Sequence, residues 1–234
     1  MLENMEAIIL AGGFGTRLRH VVSDVPKPMA PVCDKPFLEY ILNYLQQNGI
    51  TRVVLATGYK YEVIESHFGA SYKNMELIYS VEDTPLFTGG AIKKALKSCN
   101  EPYVYVINGD TFFDVDLETM YQFHIEQHSD LTIAMKHMER FERYGTLELD
   151  GSRITGFREK QKTEAGYING GIYLMRKNLL DQMVEEKFSF ESDFMEKKVN
   201  ELSFVAFESK GYFIDIGVPE DYAKAQVDFL KFGE

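Results

Sequence analysis

The sequence predicts an α/β fold with a parallel sheet at its core, and three observations carry that prediction. Residues 7–11 form a short apolar run with no polar alternation, the pattern of a strand buried on both faces, and it ends in Gly12-Gly13-Phe14-Gly15. The apolar periods then alternate strand, helix, strand, helix, strand as far as residue 81. Two later β-rich stretches end in an aspartate beside a glycine, Asn108-Gly109-Asp110 and Asp215-Ile216-Gly217. Open α/β sheets bind ligands outside the carboxyl ends of their strands, so the site is expected at these three ends.

Taken in order, the first strand covers 7–11. Leu38, Ile41, Leu42 and Leu45 give 37–48 a helical period, stopped by Gly49. A β-branched strand follows at 51–57, then a helix at 62–68 ended by Gly69 and a strand at 77–81. Gly89 and Gly90 open a helix at 91–97 whose free N–H groups can face a ligand. Strand 103–107 runs into Asp110, which on its own reads more readily as a turn residue or helix cap than as a cation ligand. Residues 116–128 form a helix with His124 and His128 four apart, read as surface or packing histidines because no third metal ligand is near. After a strand at 131–136, residues 147–154 form a hairpin turning at Asp150-Gly151. The chain ends with a helix at 190–200, a strand at 204–207, the strand reaching Asp215, and a helix at 219–232 with Pro219 in its first turn.

Composition excludes several classes. The chain has 234 residues, is 45% hydrophobic and carries a net charge of −11, so it can bury a core as one domain, with no linker or repeat to divide it. No basic run offers itself to nucleic acid or to an anionic membrane, and no apolar run reaches spanning length. Cys33 and Cys99 are too few for a disulfide framework and lack metal-ligand spacing. Residues 1–6 are polar and acidic, with no signal-peptide pattern, and the expected setting is cytoplasmic.

The chemistry concentrates between residues 10 and 28. Gly12, Gly13 and Gly15 leave backbone N–H groups uncovered, and Thr16, Arg17 and Lys27 add a hydroxyl and two cations, with Lys27 held between Pro26 and Pro28. Such a set suits a triphosphate. It is not a Walker A loop, since Gly15 is followed by Thr16-Arg17, and it is not the dinucleotide fingerprint, since Leu18 stands where a third glycine belongs. The plain alternative is a glycine-rich turn.

The run Leu10-Ala11-Gly12-Gly13-Phe14-Gly15-Thr16-Arg17-Leu18, followed by Pro26-Lys27-Pro28, resembles the signature of the sugar-phosphate nucleotidyltransferases, and further matches reach Asp221. The resemblance implies a Rossmann-like three-layer α/β/α fold with a mixed central sheet, a nucleotide half to about residue 113 and a sugar half after it. It assigns the nucleotide to Leu10, Ala11, Gly12, Gly13, Gly15, Thr16, Arg17, Lys27, Thr88, Gly89, Gly109 and Asp110, and a catalytic Mg2+ to Asp110 and Asp215. The segment 82–92 is the one that closes over the base in that family, with a glycine where Phe87 stands here. Glu82 can only accept, and guanine alone presents N1–H and N2–H2 side by side, so guanine is the expected base. Without the resemblance, Glu82 reads as a solvated carboxylate and Lys160 as a surface lysine.

Tyr144-Gly145, Glu159-Lys160 and the strand 167–173 with Asn169 and Gly171 are similar to the family's sugar-binding half. Glu159 and Asn169 can bond ring hydroxyls and Lys160 can pair with the sugar phosphate. The implied reaction joins an NTP and a sugar 1-phosphate, releasing pyrophosphate, with Arg17, Lys27, Asp110, Lys160 and Asp215 as the catalytic set and Mg2+ as cofactor. The whole pattern looks most like short bacterial guanylyltransferases acting on D-glycero-α-D-manno-heptose 1-phosphate, which serve surface polysaccharide synthesis. Mannose-1-phosphate guanylyltransferases and N-acetylmuramate-1-phosphate uridylyltransferases are the alternatives, and a non-catalytic subunit of the same fold is the alternative of another class. GTP and a sugar 1-phosphate are thus the expected partners, with a homo-oligomer left open. The length implies no added acetyltransferase or regulatory module.

Overall fold

In chain order, β1 (Met5–Leu10) is followed by a 3-10 turn (Lys27–Met29), the hairpin β2 (Pro31–Val32) and β3 (Lys35–Pro36), α1 (Phe37–Gln47) and β4 (Ile50–Thr57). Next come α2 (Tyr61–Phe68), β5 (Ser71–Tyr72), β6 (Met75–Val81), α3 (Phe87–Leu96), β7 (Tyr103–Asn108), β8 (Thr111–Phe113) and α4 (Leu117–Glu126). The remainder comprises β9 (Leu131–Phe141), β10 (Thr146–Asp150), β11 (Arg153–Arg158), β12 (Thr163–Arg176), a π-helix (Phe190–Met195) running into α5 (Glu196–Lys198), β13 (Phe204–Glu208), β14 (Phe213–Asp215), α6 (Pro219–Asp228) and a closing 3-10 turn (Phe229–Phe232). The structure is a computed structural model that describes residues 5–13, 25–158 and 160–232, apart from the side chain of residue 232.

Among the described residues, ten strands form one sheet in the order β10-β11-β13-β9-β12-β7-β1-β4-β6-β5. The pairs β1–β4, β1–β7 and β4–β6 are parallel, as the strand-helix alternation predicts. β12 then lies antiparallel to β7, so the sheet is mixed and passes without a break from one half of the chain to the other. β1 sits near its middle. Ile9 packs on one face with Leu38 and Ile41 of α1, while Ile8 packs on the other with Ile92 and Ala95 of α3. That two-sided burial is why the run carries no polar alternation, and it makes three layers.

The hairpin turns where expected, with Asp150 opposite Arg153 and Gly151 at φ +60°. Three elements differ from expectation. α3 starts at Phe87, so Gly89 and Gly90 lie inside its first turn rather than ahead of it. The closing helix is α-helical only to Asp228 and tightens into a 3-10 turn over Phe229–Phe232. In place of a regular helix over 190–200, residues 190–195 form a π-helix in which the Glu196 N–H reaches back to the Glu191 carbonyl. Its wider turn stacks the Phe190 and Phe194 rings at 5.6 Å and lets Phe190 meet Tyr173 edge-on at 5.3 Å. Aromatic packing across the chain has overridden the local helical period. Both cysteines are free, and burial pushes the Cys99 thiol up to about 12.

Candidate active site

Asp110 and Asp215 are brought together by an element that the sequence does not announce. β8 and β14 form a separate antiparallel ribbon in which Thr111 faces Asp215 and Phe113 faces Phe213. The Ile216 N–H donates to the Asp110 carbonyl at 3.0 Å, locking the two strand ends side by side. The Lys27 ammonium reaches into the gap, bonding Asp110 Oδ2 and lying 4.0 Å from Asp215 Oδ1. Burial first, and the Asp110 charge second, hold the Asp215 carboxyl above the usual carboxylate range, while Lys27 and the Gly217 N–H pull it down. Gly217 leaves room for this arrangement: a Cβ would sit 2.7 Å from Asp215 Oδ1 and 3.0 Å from Lys27 Nζ, so one of the two side chains would have to shift. Two converging carboxylates whose repulsion calls for a cation, both hard oxygen donors, fit a small divalent metal that completes its shell with water and phosphate.

Two cavities meet at this centre. One of about 680 Å³ is lined by Leu10, Gly12, Gly13, Glu82, Phe87 and Thr88, and one of about 520 Å³ by Tyr144, Gly145, Lys160, Asn169, Gly171 and Asp215. Lys27, Asp110 and Glu191 belong to both. In the first, burial raises the Glu82 carboxyl, and its Oε2 accepts from the Leu86 N–H at 2.8 Å. Oε1 has no partner among the described residues, and it lies against Gly12, where a Cβ would be 3.3 Å away.

In the second cavity, a bulge in the β9–β12 ladder between Asn169 and Tyr173 places Gly171 at φ +75°. The Asn169 Oδ1 accepts from the Gly171 N–H at 3.0 Å and its Nδ2 donates to the Tyr173 hydroxyl at 2.8 Å. Arg143 pairs with Asp221 at the start of α6, holding the loop that carries Tyr144 against the Asp215 end of the ribbon. Burial raises the Tyr144 hydroxyl, so it is a neutral donor and acceptor.

The nucleotidyl transferase family profile matches residues 6–231. The chain belongs to the nucleotidyl transferase family. It is 53% identical over 229 residues to a D-glycero-alpha-D-manno-heptose 1-phosphate guanylyltransferase of Aneurinibacillus thermoaerophilus, covering 97% of this chain and 100% of that one. It is 48% identical to the enzyme of the same name from Campylobacter jejuni, over 93% of this chain and 97% of that one. The crystal structure of HddC from Yersinia pseudotuberculosis complexed with GMP-PN superposes with a TM-score of 0.86 at 38% identity, covering 96% of this chain and 99% of that one.

In this nucleotidyl transferase, Leu10, Gly12, Gly13, Lys27, Glu82, Thr88 and Asp110 gather at one cavity and Tyr144, Gly145, Lys160, Asn169, Gly171 and Asp215 at the other. Ala11, Gly89 and Gly109 line neither. They set the backbone instead: the Ala11 N–H bonds Ala56 O at 2.8 Å, and the Gly109 N–H bonds Leu10 O at 3.0 Å. The Gly89 and Gly90 N–H groups, expected to face a ligand, both donate to the Phe188 carbonyl. The Thr88 hydroxyl donates to Glu191 Oε2 at 2.7 Å and accepts from the Phe190 N–H at 2.9 Å. Gly15, Thr16, Arg17 and Glu159 lie outside the described residues. Glu191 and Arg143 are the site features that sequence reasoning missed, and neither lies in a recognisable motif. Phe87 and Asp221 left a signal, Phe87 as a departure from the family pattern and Asp221 as the end of the matching stretches, though not of the contacts they make.

Proposed function

We propose that the chain transfers a guanylyl group from GTP to D-glycero-α-D-manno-heptose 1-phosphate, giving GDP-heptose and pyrophosphate. The observation that carries this is the shared Lys27–Asp110 centre at the junction of two cavities, one for each reactant. The names of the relatives at 53% and 48% identity supply the base and the sugar.

Both reactants are anionic, so the barrier is largely repulsion and alignment. The sugar phosphate oxygen attacks the α-phosphorus in line and is already ionised, which leaves no task for a general base. Lys27 moves its charge from the carboxylates toward the triphosphate, and Arg17 adds a second cation. Lys160, exposed on the rim of the sugar cavity, holds the attacking phosphate. Mg2+ at Asp110 and Asp215 would neutralise developing charge on the phosphate oxygens. Glu82 reads the two guanine donors with its free Oε1 and the remaining lone pair of Oε2. The reading places the enzyme where GTP is made, in the cytoplasm; among the described residues, no helix is long and apolar enough to cross a membrane.

Pyrophosphate release measured across GTP, UTP, CTP, ATP and dTTP against heptose, mannose, glucose and N-acetylmuramate 1-phosphates tests it. Release with GTP and the heptose is expected. Preference for another pair reassigns the substrate, and silence across the matrix from folded protein removes the catalytic reading.

A further inference from the structure

Phe87, at the mouth of the larger cavity, is at odds with its own backbone. Its φ is +60°, in the left-handed region that bulky residues rarely adopt, and the residue is 57% exposed. The residues around it leave the backbone no freedom to relax. The Leu86 N–H is held by Glu82, the Thr88 hydroxyl by Glu191 and Phe190, and the Gly89 N–H by the Phe188 carbonyl. Glycine would satisfy that geometry without strain, and it would also remove the only aromatic ring lining this cavity among the described residues. The Lys187 ammonium lies 4.6 Å from the ring centroid and restrains it further. Strain held in place beside a ligand cavity, with an exposed ring as its product, is the signature of a residue kept for contact with the ligand.

We propose that Phe87 is the stacking platform for the purine of the bound nucleoside triphosphate. The inference rests on the reading that the base occupies this cavity. It divides the recognition in two: Glu82 reads the edge of the base and sets selectivity, while Phe87 covers its π-face and adds affinity that every base shares. The exposed ring and the base each lose water-facing apolar area on contact.

The test is calorimetric titration of the full chain with GTP and, separately, with inorganic triphosphate, which has no base to stack. Phe87→Ala and Phe87→Gly should bind GTP roughly 5- to 100-fold more weakly and triphosphate as the parent does, while Phe87→Tyr retains GTP affinity. Phe87→Gly should also melt about 2–4 °C higher, because the left-handed strain is gone. Unchanged GTP affinity in Phe87→Ala overturns the stack, and equal losses for GTP and triphosphate do the same by making Phe87 a structural residue. A lower melting temperature for Phe87→Gly overturns the strain. A parent that binds GTP no more tightly than triphosphate also overturns the stack, whereas failure of the proposed function is read separately, as silence in the pyrophosphate-release assay.

Discussion

Lys27 answers two carboxylates at once, and the energetics of the centre turn on that single ammonium. Asp110→Asn removes one of two repelling charges, so the lost Lys27 pair is offset and the melting temperature should move little. Turnover should fall roughly a hundredfold or more, since a charge that organises the transition state has gone. Pyrophosphate release and a thermal melt on the same sample check both halves, and an active Asp110→Asn variant would take it out of the centre. Glu82→Gln places an amide donor where guanine also donates. Its kcat/KM with GTP should drop about 10- to 100-fold, and the preference for GTP over ITP, which lacks the exocyclic amine, should shrink toward parity.

At the scale of elements, the start of α3 and residues 189–193 line one side of the larger cavity, and the segment 186–188 that leads into them packs directly on α3. Gly90 lets them touch: a Cβ there would sit 2.1 Å from the Glu186 carbonyl oxygen, a backbone atom that cannot swing aside. Gly90→Ala should destabilise the fold by about 1–3 kcal/mol and raise the KM for GTP as α3 tilts, read by denaturant unfolding and steady-state kinetics. On the far face, α4 and β9 bury His124, whose Nδ1 meets the Thr132 and Ser129 hydroxyls at 2.7 and 3.0 Å. Burial, and then the Arg176 charge, lower its pKa from 6.5 to about 4. The folded state binds this proton less readily than the unfolded chain. The stabilising effect of a neutral His124 is therefore present above pH 6.5 and lost as pH falls through about 4, on the order of 3 kcal/mol in all. Urea unfolding across that window should show the loss, and His124→Gln should flatten the slope there.

The whole molecule is tied together across its midline. β7 pairs with β12 and β8 with β14, so neither half of the chain owns a complete sheet or a complete site. Calorimetry should show one unfolding transition with equal van't Hoff and calorimetric enthalpies. GTP with Mg2+ at a hundred times its dissociation constant should stabilise that transition by about 2.7 kcal/mol through mass action. Two resolved transitions, with only one responding to GTP, would show the halves to be independent. The net charge of −11 leaves the site as a local concentration of cations on an acidic body, so binding of the anionic substrates should weaken as salt rises.

By itself the sequence determined the parallel half of the sheet, the glycine-rich end of β1, and the residue types that phosphate and guanine chemistry need. All of these are local: apolar periods, strand ends and motif spacing are written in neighbouring residues. Only the tertiary structure decided what depends on contacts between distant residues. The pairing of β8 with β14 sets Asp110 beside Asp215, and Lys27 arrives between them from a third place in the chain. Aromatic packing of Phe190 on Tyr173 turned an expected α-helix into a π-helix and placed Glu191 at both cavities. The Thr88 hydroxyl and the Gly89 N–H look like ligand groups in sequence, yet the fold uses them for its own bonds, because a buried polar group takes whichever partner the packing brings nearest.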